Sequence, residues 1–155
     1  MNTPLRALIV EDSEDDVLLL IRELKRGGYD MQFERVDTAE ALRSALAKQK
    51  WDIIVSDYNM PHFTAFDALQ LLKETKLDIP FIIVSGAIGE ETAVEMMRAG
   101  AHDFVRKGNL ARLVPAIERE LRDVEVRRER RKVQAQLERS FIDLVETMSR
   151  AMDCR

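Results

Sequence analysis

One segment excludes most folds for this chain: Asp52-Ile-Ile-Val-Ser-Asp57-Tyr-Asn-Met-Pro61. It is a short, continuous apolar run of β type, with no polar alternation to offer water one face. Strands of that kind are buried on both sides, as in parallel sheets covered by helices. The run delivers a carboxylate, Asp57, to its C-terminal tip, and a turn follows at once. Two further runs end in the same way. Leu5-Arg-Ala-Leu-Ile-Val10 leads into Glu11-Asp12, and Ile79-Pro-Phe-Ile-Ile-Val84 leads into Ser85-Gly86. A fourth, around Asp103-Phe-Val-Arg-Lys107, ends in a lysine. In an open parallel sheet, ligands bind outside the carboxyl ends of the strands. Three carboxylates, a hydroxyl and an amine at four strand ends therefore make a site for a divalent cation and a phosphoryl group.

Helical blocks alternate with these runs. Ser13-Glu-Asp-Asp16 has the spacing of a capping box, in which the serine hydroxyl and the third-position acid satisfy free backbone N–H groups. Val17, Leu20, Ile21 and Leu24 follow at the spacing of one buried helix face, and Gly27-Gly28 ends it. The stretch Tyr29–Val36 alternates as an edge or half-buried strand does. Thr38 caps a second helix with Leu42, Ala45 and Leu46 facing inward. Thr64-Ala-Phe-Asp67 opens a third, with Ala68, Leu69 and Leu72 on its buried face. A fourth, over residues 90–98, is closed by Gly100. Strand–helix units repeated in this way predict a five-stranded, doubly wound parallel sheet in a three-layer α/β sandwich.

Residues 112–155 read differently, as one long helix rich in Glu and Arg, with Pro115 in its first turn where a missing N–H does no harm. Ile117, Leu121 and Val124 recur at spacings of four and three. So do Leu137, Phe141, Leu144 and Met148, apart from one slip of a residue, and this pattern suits a coiled-coil seam. Such a helix would extend about 60 Å, and its apolar stripe predicts a homodimer. The run Arg127-Arg-Glu-Arg-Arg-Lys132 interrupts the stripe, but its signs are interleaved with acids, as on a solvated helix face. The net charge of -4 gives no reason to expect nucleic acid or an anionic membrane as the partner. A lone Cys154 excludes an internal disulfide and fits a reducing, cytoplasmic setting. No stretch approaches the roughly 18 apolar residues of a membrane span.

The chemistry of the strand ends follows from their residue types. A carboxylate accepts a phosphoryl group when its charge is neutralised and the group is held in line. Hard oxygen ligands select Mg2+, which keeps several waters and needs only two or three protein oxygens. Glu11, Asp12 and Asp57 supply these, with a backbone carbonyl from the Tyr58-Asn59 turn as a further candidate. Lys107 would balance phosphoryl charge, and Ser85 could donate a hydrogen bond to a phosphoryl oxygen. An aspartyl-phosphate phosphatase would need a second acid two residues after its nucleophile, where Asn59 stands. A flavodoxin would need a phosphate-cradling loop where Glu11 to Asp16 is acidic.

At these residues the chain resembles the receiver domains of two-component response regulators. The resemblance covers about residues 4 to 125. It rests on the acidic pair after the first strand, Ser-Asp-Tyr-Asn-Met-Pro around the third, Val-Ser-Gly-Ala after the fourth and Asp-Phe-Val-Arg-Lys at the fifth. It implies that Asp57 accepts a phosphoryl group from a sensor histidine kinase or phosphotransfer protein. It further implies that Asp12 ligates Mg2+ directly, Glu11 through water and Asn59 through its carbonyl, and that Ser85 and Phe104 form a switch pair. Gly108 stands where many receivers have a proline after the lysine, so Lys107 is expected to be less firmly placed. Phe104 stands where tyrosine is frequent.

The implied organisation is a receiver over residues 1–125 and a helical linker or coiled coil over 126–155. The stretch Ser140-Phe-Ile-Asp-Leu-Val-Glu-Thr-Met-Ser-Arg-Ala-Met-Asp-Cys-Arg155 resembles the entry helix of HD-GYP cyclic di-GMP phosphodiesterases. That likeness implies an output in cyclic di-GMP turnover beyond this chain. PAS, diguanylate cyclase or kinase outputs, and a mainly dimerising scaffold, stay open as alternatives. The receiver itself is expected to act as a phosphoacceptor and not as an enzyme on external substrates.

Overall fold

The computed structural model describes residues 2–86 and 88–153, so Cys154 and Ala87 of the Val-Ser-Gly-Ala motif lie outside the described residues. The elements run β1 (Thr3–Val10), α1 (Glu14–Arg26), β2 (Tyr29–Val36), α2 (Ala39–Lys48), β3 (Ile53–Asp57), α3 (Ala65–Thr75), β4 (Phe81–Ser85), α4 (Glu90–Ala99), β5 (Asp103–Arg106), a 3-10 turn (Lys107–Arg112) and α5 (Leu113–Asp153). The five strands are all parallel, in the order β2-β1-β3-β4-β5. The expected doubly wound sheet is the one that forms.

The continuous apolar strands explain the three layers. Neighbouring side chains on a strand point to opposite faces, so each run feeds two cores. Leu8, Val10, Ile54, Phe81 and Ile83 join the core that holds Leu42, Leu46, Leu69 and Leu72. Ala7, Ile9, Ile53, Val55, Ile82, Val84 and Val105 join the other, with Val17, Leu20, Ile21 and Leu24 of α1 and Leu113, Ala116 and Ile117 of α5. Strand β2 borders the sheet, and its mixed pattern fits an edge.

Local signals set the helix ends. Thr38 Oγ1 accepts from the Ala41 N–H, and Thr64 and Asp67 form a full reciprocal capping box. Gly100 ends α4 in the left-handed region at φ 119°, where a Cβ would also meet the Lys73 side chain. The box expected at Ser13 forms only in half. Ser13 Oγ accepts from the Asp16 N–H, but the Ser13 N–H donates to Glu11 Oε1, which leaves the Asp16 carboxylate for another partner.

The chain divides into two compact units, one reaching Leu121 and the other starting at Arg122. In the first, Ile117 is fully buried and Leu121 packs against the α1-side core. These two members of the expected seam therefore serve the α/β core instead. In the second, Leu137, Phe141, Leu144 and Met148 are each between 57% and 66% exposed. No helix among the described residues is long and apolar enough to cross a membrane.

Candidate phosphoryl and metal site

The sheet order reverses direction at β1, since β2 lies to one side of it and β3 to the other. The crevice at such a reversal, outside the carboxyl ends of the strands, is the expected binding place. Register decides what meets there. Val10 pairs with Ser56 and Asp57 with Val84, so Asp57 stands one step past the end of β1, level with Glu11. One carboxylate oxygen from each of Glu11, Asp12 and Asp57 lies within 4.8 Å of the others. Glu11 is 2% and Asp57 7% exposed, whereas Asp12 is open to solvent.

The cation that faces this cluster is Lys107. Its Nζ lies 2.7 Å from Asp16 Oδ2, 3.2 Å from Glu11 Oε2 and 3.5 Å from Asp57 Oδ1. The lysine is not on a strand, as expected from sequence, but opens the 3-10 turn directly after β5. Burial alone would lower its pKa. The hydrogen bond it donates to Asp16 and the charges of Asp57 and Glu11 outweigh that and raise it above the ordinary lysine value. Glu11 shifts the other way for an acid. Burial pushes its carboxyl up to about 7, the Ser13 N–H and Lys107 oppose this, and Asp57 and a hydrogen bond with Asp12 reinforce it.

The remaining candidates take their places around this core. Ser85 ends β4 and is 1% exposed. Asn59 is exposed, two residues beyond β3. Phe104 is partly buried against the α3-side core and lines a cleft of about 370 Å3 with Ile88, Glu90 and Arg112. All the sequence-derived site residues thus lie at or next to the carboxyl edge. Two contributors were not legible. Asp16, read as a capping acid, gives Lys107 its shortest contact. Arg35, at the end of β2, donates to the Glu11 carbonyl at 3.3 Å and pairs with Asp37 and Glu14, which ties down the acidic loop. A hint of Asp16 was available: a side chain one turn into a helix points back toward the helix start, here toward Glu11 and Asp12.

The three acids fit a hard divalent cation. They offer oxygen donors only, and without a cation their charges would repel, which is one reason Glu11 holds a proton so readily.

A doubly wound sheet with an acidic, strand-end centre and an opposed lysine defines a narrow class of α/β domain. Residues 7–118 match the response regulator receiver domain model. The chain is 35% identical over 118 residues to the transcriptional regulatory protein PrrA of Mycobacterium bovis, covering 76% of this chain and 50% of that protein. It is 33% identical over 102 residues to the response regulator protein FleR of Pseudomonas aeruginosa, covering 66% of this chain and 21% of that protein. Among solved structures it is similar to FixJ-N, with a TM-score of 0.66 and 29% identity over 76% of this chain and 94% of that one. This chain belongs to the response regulator receiver domain family. It spans about half the length of PrrA and about a fifth of FleR. Receiver domains act in phosphorylation-dependent signalling, with a kinase as phosphodonor, and generally bind Mg2+ through acidic residues.

Proposed function

We propose that Asp57 is the phosphoacceptor of this receiver. The observation that carries the reading is the convergence of Glu11, Asp12 and Asp57 with Lys107 across the reversal of the sheet. An Asp57 carboxylate oxygen attacks the phosphorus of a phosphohistidine on a sensor kinase or phosphotransfer protein, and the bond from phosphorus to the imidazole nitrogen breaks. Asp12 and Asp57, with the Asn59 carbonyl, are the residues that would hold Mg2+. Both Glu11 oxygens already accept hydrogen bonds, from Ser13 and from Lys107, which favours contact through water. When bound, the cation supplies positive charge against the phosphoryl oxygens. Lys107 supplies a second positive charge, and the Ser85 hydroxyl is the donor for a phosphoryl oxygen once Asp57 is modified.

The switch pair in this reading is Ser85 and Phe104. Phe104 borders a cleft, so its ring has space to change position, and α4 and β5 contribute the cleft walls. The receiver relays its state through the helix that begins at Leu113. The domain boundary of this reading falls near residue 125, followed by a helical linker over 126–155. The exposed stripe of Leu137, Phe141, Leu144 and Met148 favours a parallel homodimer, because leaving each of these side chains in water forgoes on the order of 1.5–3 kcal/mol. The output fed by that linker is, in this reading, cyclic di-GMP turnover, on the likeness of residues 140–155 to an HD-GYP entry helix. A PAS, diguanylate cyclase or kinase output would be served by the same helix.

The test of the central claim is direct. With Mg2+ and acetyl phosphate the protein should gain about 80 Da, the mass of one phosphoryl group. No gain overturns the phosphoacceptor reading. For the helix, sedimentation of the full chain against a version ending near Val126 should show a dimer only for the full chain. Monomers in both cases overturn the dimer.

A further inference from the structure

A lysine is a point charge on a flexible stem, and something must hold it where it is needed. Here the three acids it pairs with all lie outside its own loop. Lys107 opens a 3-10 turn, and at the next residue, Gly108, a Cβ would meet nothing within 4 Å. The backbone at Gly108 is open on the side where a Cβ would stand. The firm element nearby is instead α1. Asp16 is anchored there by its N–H bond to Ser13 Oγ, and the adjacent Val17 is 4% exposed in the core. From that anchor its carboxylate reaches across to Lys107 Nζ at 2.7 Å, closer than either Glu11 or Asp57. Asp16 is not one of the three acids whose oxygens cluster for a cation.

We infer that Asp16 is the positioning residue for Lys107: it holds the ammonium beside the phosphoryl position and takes up part of its bonding that would otherwise fall on Glu11 and Asp57 alone. The inference rests on the phosphoacceptor reading above. Its physical content is a division of labour among four acids. A charge-assisted bond from a group on a rigid helix fixes the donor. Without that bond, the lysine would be shared between Glu11 and Asp57 alone, where it competes for the carboxylates that the cation and the phosphoryl group require. Substituting Asp16 leaves the helix cap intact, since the cap uses the backbone N–H of residue 16 and not its side chain.

The test titrates the full chain, in saturating Mg2+, with beryllium fluoride as the phosphoryl mimic, read by fluorine NMR. Asp16→Asn should weaken binding about tenfold, the worth of one charge-assisted hydrogen bond. Asp16→Glu, which keeps the charge, should recover most of the loss. In a Lys107→Ala background the Asp16→Asn change should do nothing further, because its only route to the site is gone. Asp16→Ser serves as a second truncation if the amide perturbs α1. Binding by Asp16→Asn as tight as that of the unaltered chain overturns the inference, and so does an equal loss with and without Lys107. If the unaltered chain binds the mimic and gains phosphoryl mass while Asp16→Asn behaves identically, only this inference fails. If the unaltered chain does neither, the phosphoacceptor reading fails with it.

Discussion

Where β3 begins, Arg6 and Asp52 satisfy each other: two side-chain bonds at 2.9 and 3.2 Å, and a backbone N–H of Arg6 to the same carboxylate at 2.8 Å. Where β3 ends, one ammonium faces Glu11, Asp16 and Asp57, with Asp12 beside them. Both clusters join the same sheet, and both contain hydrogen-bonded acids. The first balances its charge within the protein, so it needs nothing from outside. The second has acids in excess, and in the one buried most deeply, Glu11, burial and then the neighbouring Asp57 charge push the carboxyl up to about 7. An imbalance of that kind costs stability, and a buried acid perturbed in this way marks a candidate functional site.

The comparison can be broken most completely at Asp57. Asp57→Asn should abolish the mass gain from acetyl phosphate while thermal unfolding stays cooperative, because the amide has the shape of the acid. A gain of equal size on another residue would reassign the acceptor. Next in size is the metal. Asp12→Ala should weaken Mg2+ by about a hundredfold in calorimetric titration, since even outer-shell partners of a metal are worth 10–100-fold. An unchanged affinity would leave Asp12 as a loop acid.

The imbalance itself is legible in stability against pH. Glu11 has a folded-state pKa of about 7, above the ordinary 4.5, so the folded state binds its proton more tightly than the unfolded state does. That preference stabilises the metal-free fold fully below about pH 4.5, and it is lost as pH rises through 7. The metal-free protein should therefore lose on the order of 3 kcal/mol of stability across that window. Glu11→Gln should show a flatter profile, and saturating Mg2+ should flatten the profile of the unaltered chain as well. Identical slopes with and without Glu11 would contradict the shift. The smallest effect is expected at the balanced end. Asp52→Asn should cost about 1 kcal/mol or less by chemical denaturation, because the Arg6 side chain is 42% exposed, and should change neither Mg2+ affinity nor phosphoryl uptake.

Much of this architecture was written in local patterns. The apolar runs predicted strands buried on both faces, and the spacing of Val17, Leu20, Ile21 and Leu24 predicted a face that is indeed buried. Thr38 and Thr64 cap the helices they precede, because a cap depends on residues three apart. The candidate site was legible for a related reason: in a parallel sheet every strand end of one sense lies on one edge, so polar residues that end apolar runs must gather there.

What sequence could not assign was the partner of a side chain with several options. Asp16 had a local role available, as the second half of a capping box. It is taken instead by Lys107, 91 residues away, and Glu11 fills the vacated bond to Ser13. Ile117 and Leu121 fitted a heptad, but the α1-side core claims them. The run of residue types thus determined the strands, the helices and the edge at which the acids meet. Only the tertiary structure decided which acid meets the lysine and which seam residues meet the core. Periodicity and capping are settled within a few residues, whereas a competition between partners is settled by what the fold brings within 3 or 4 Å.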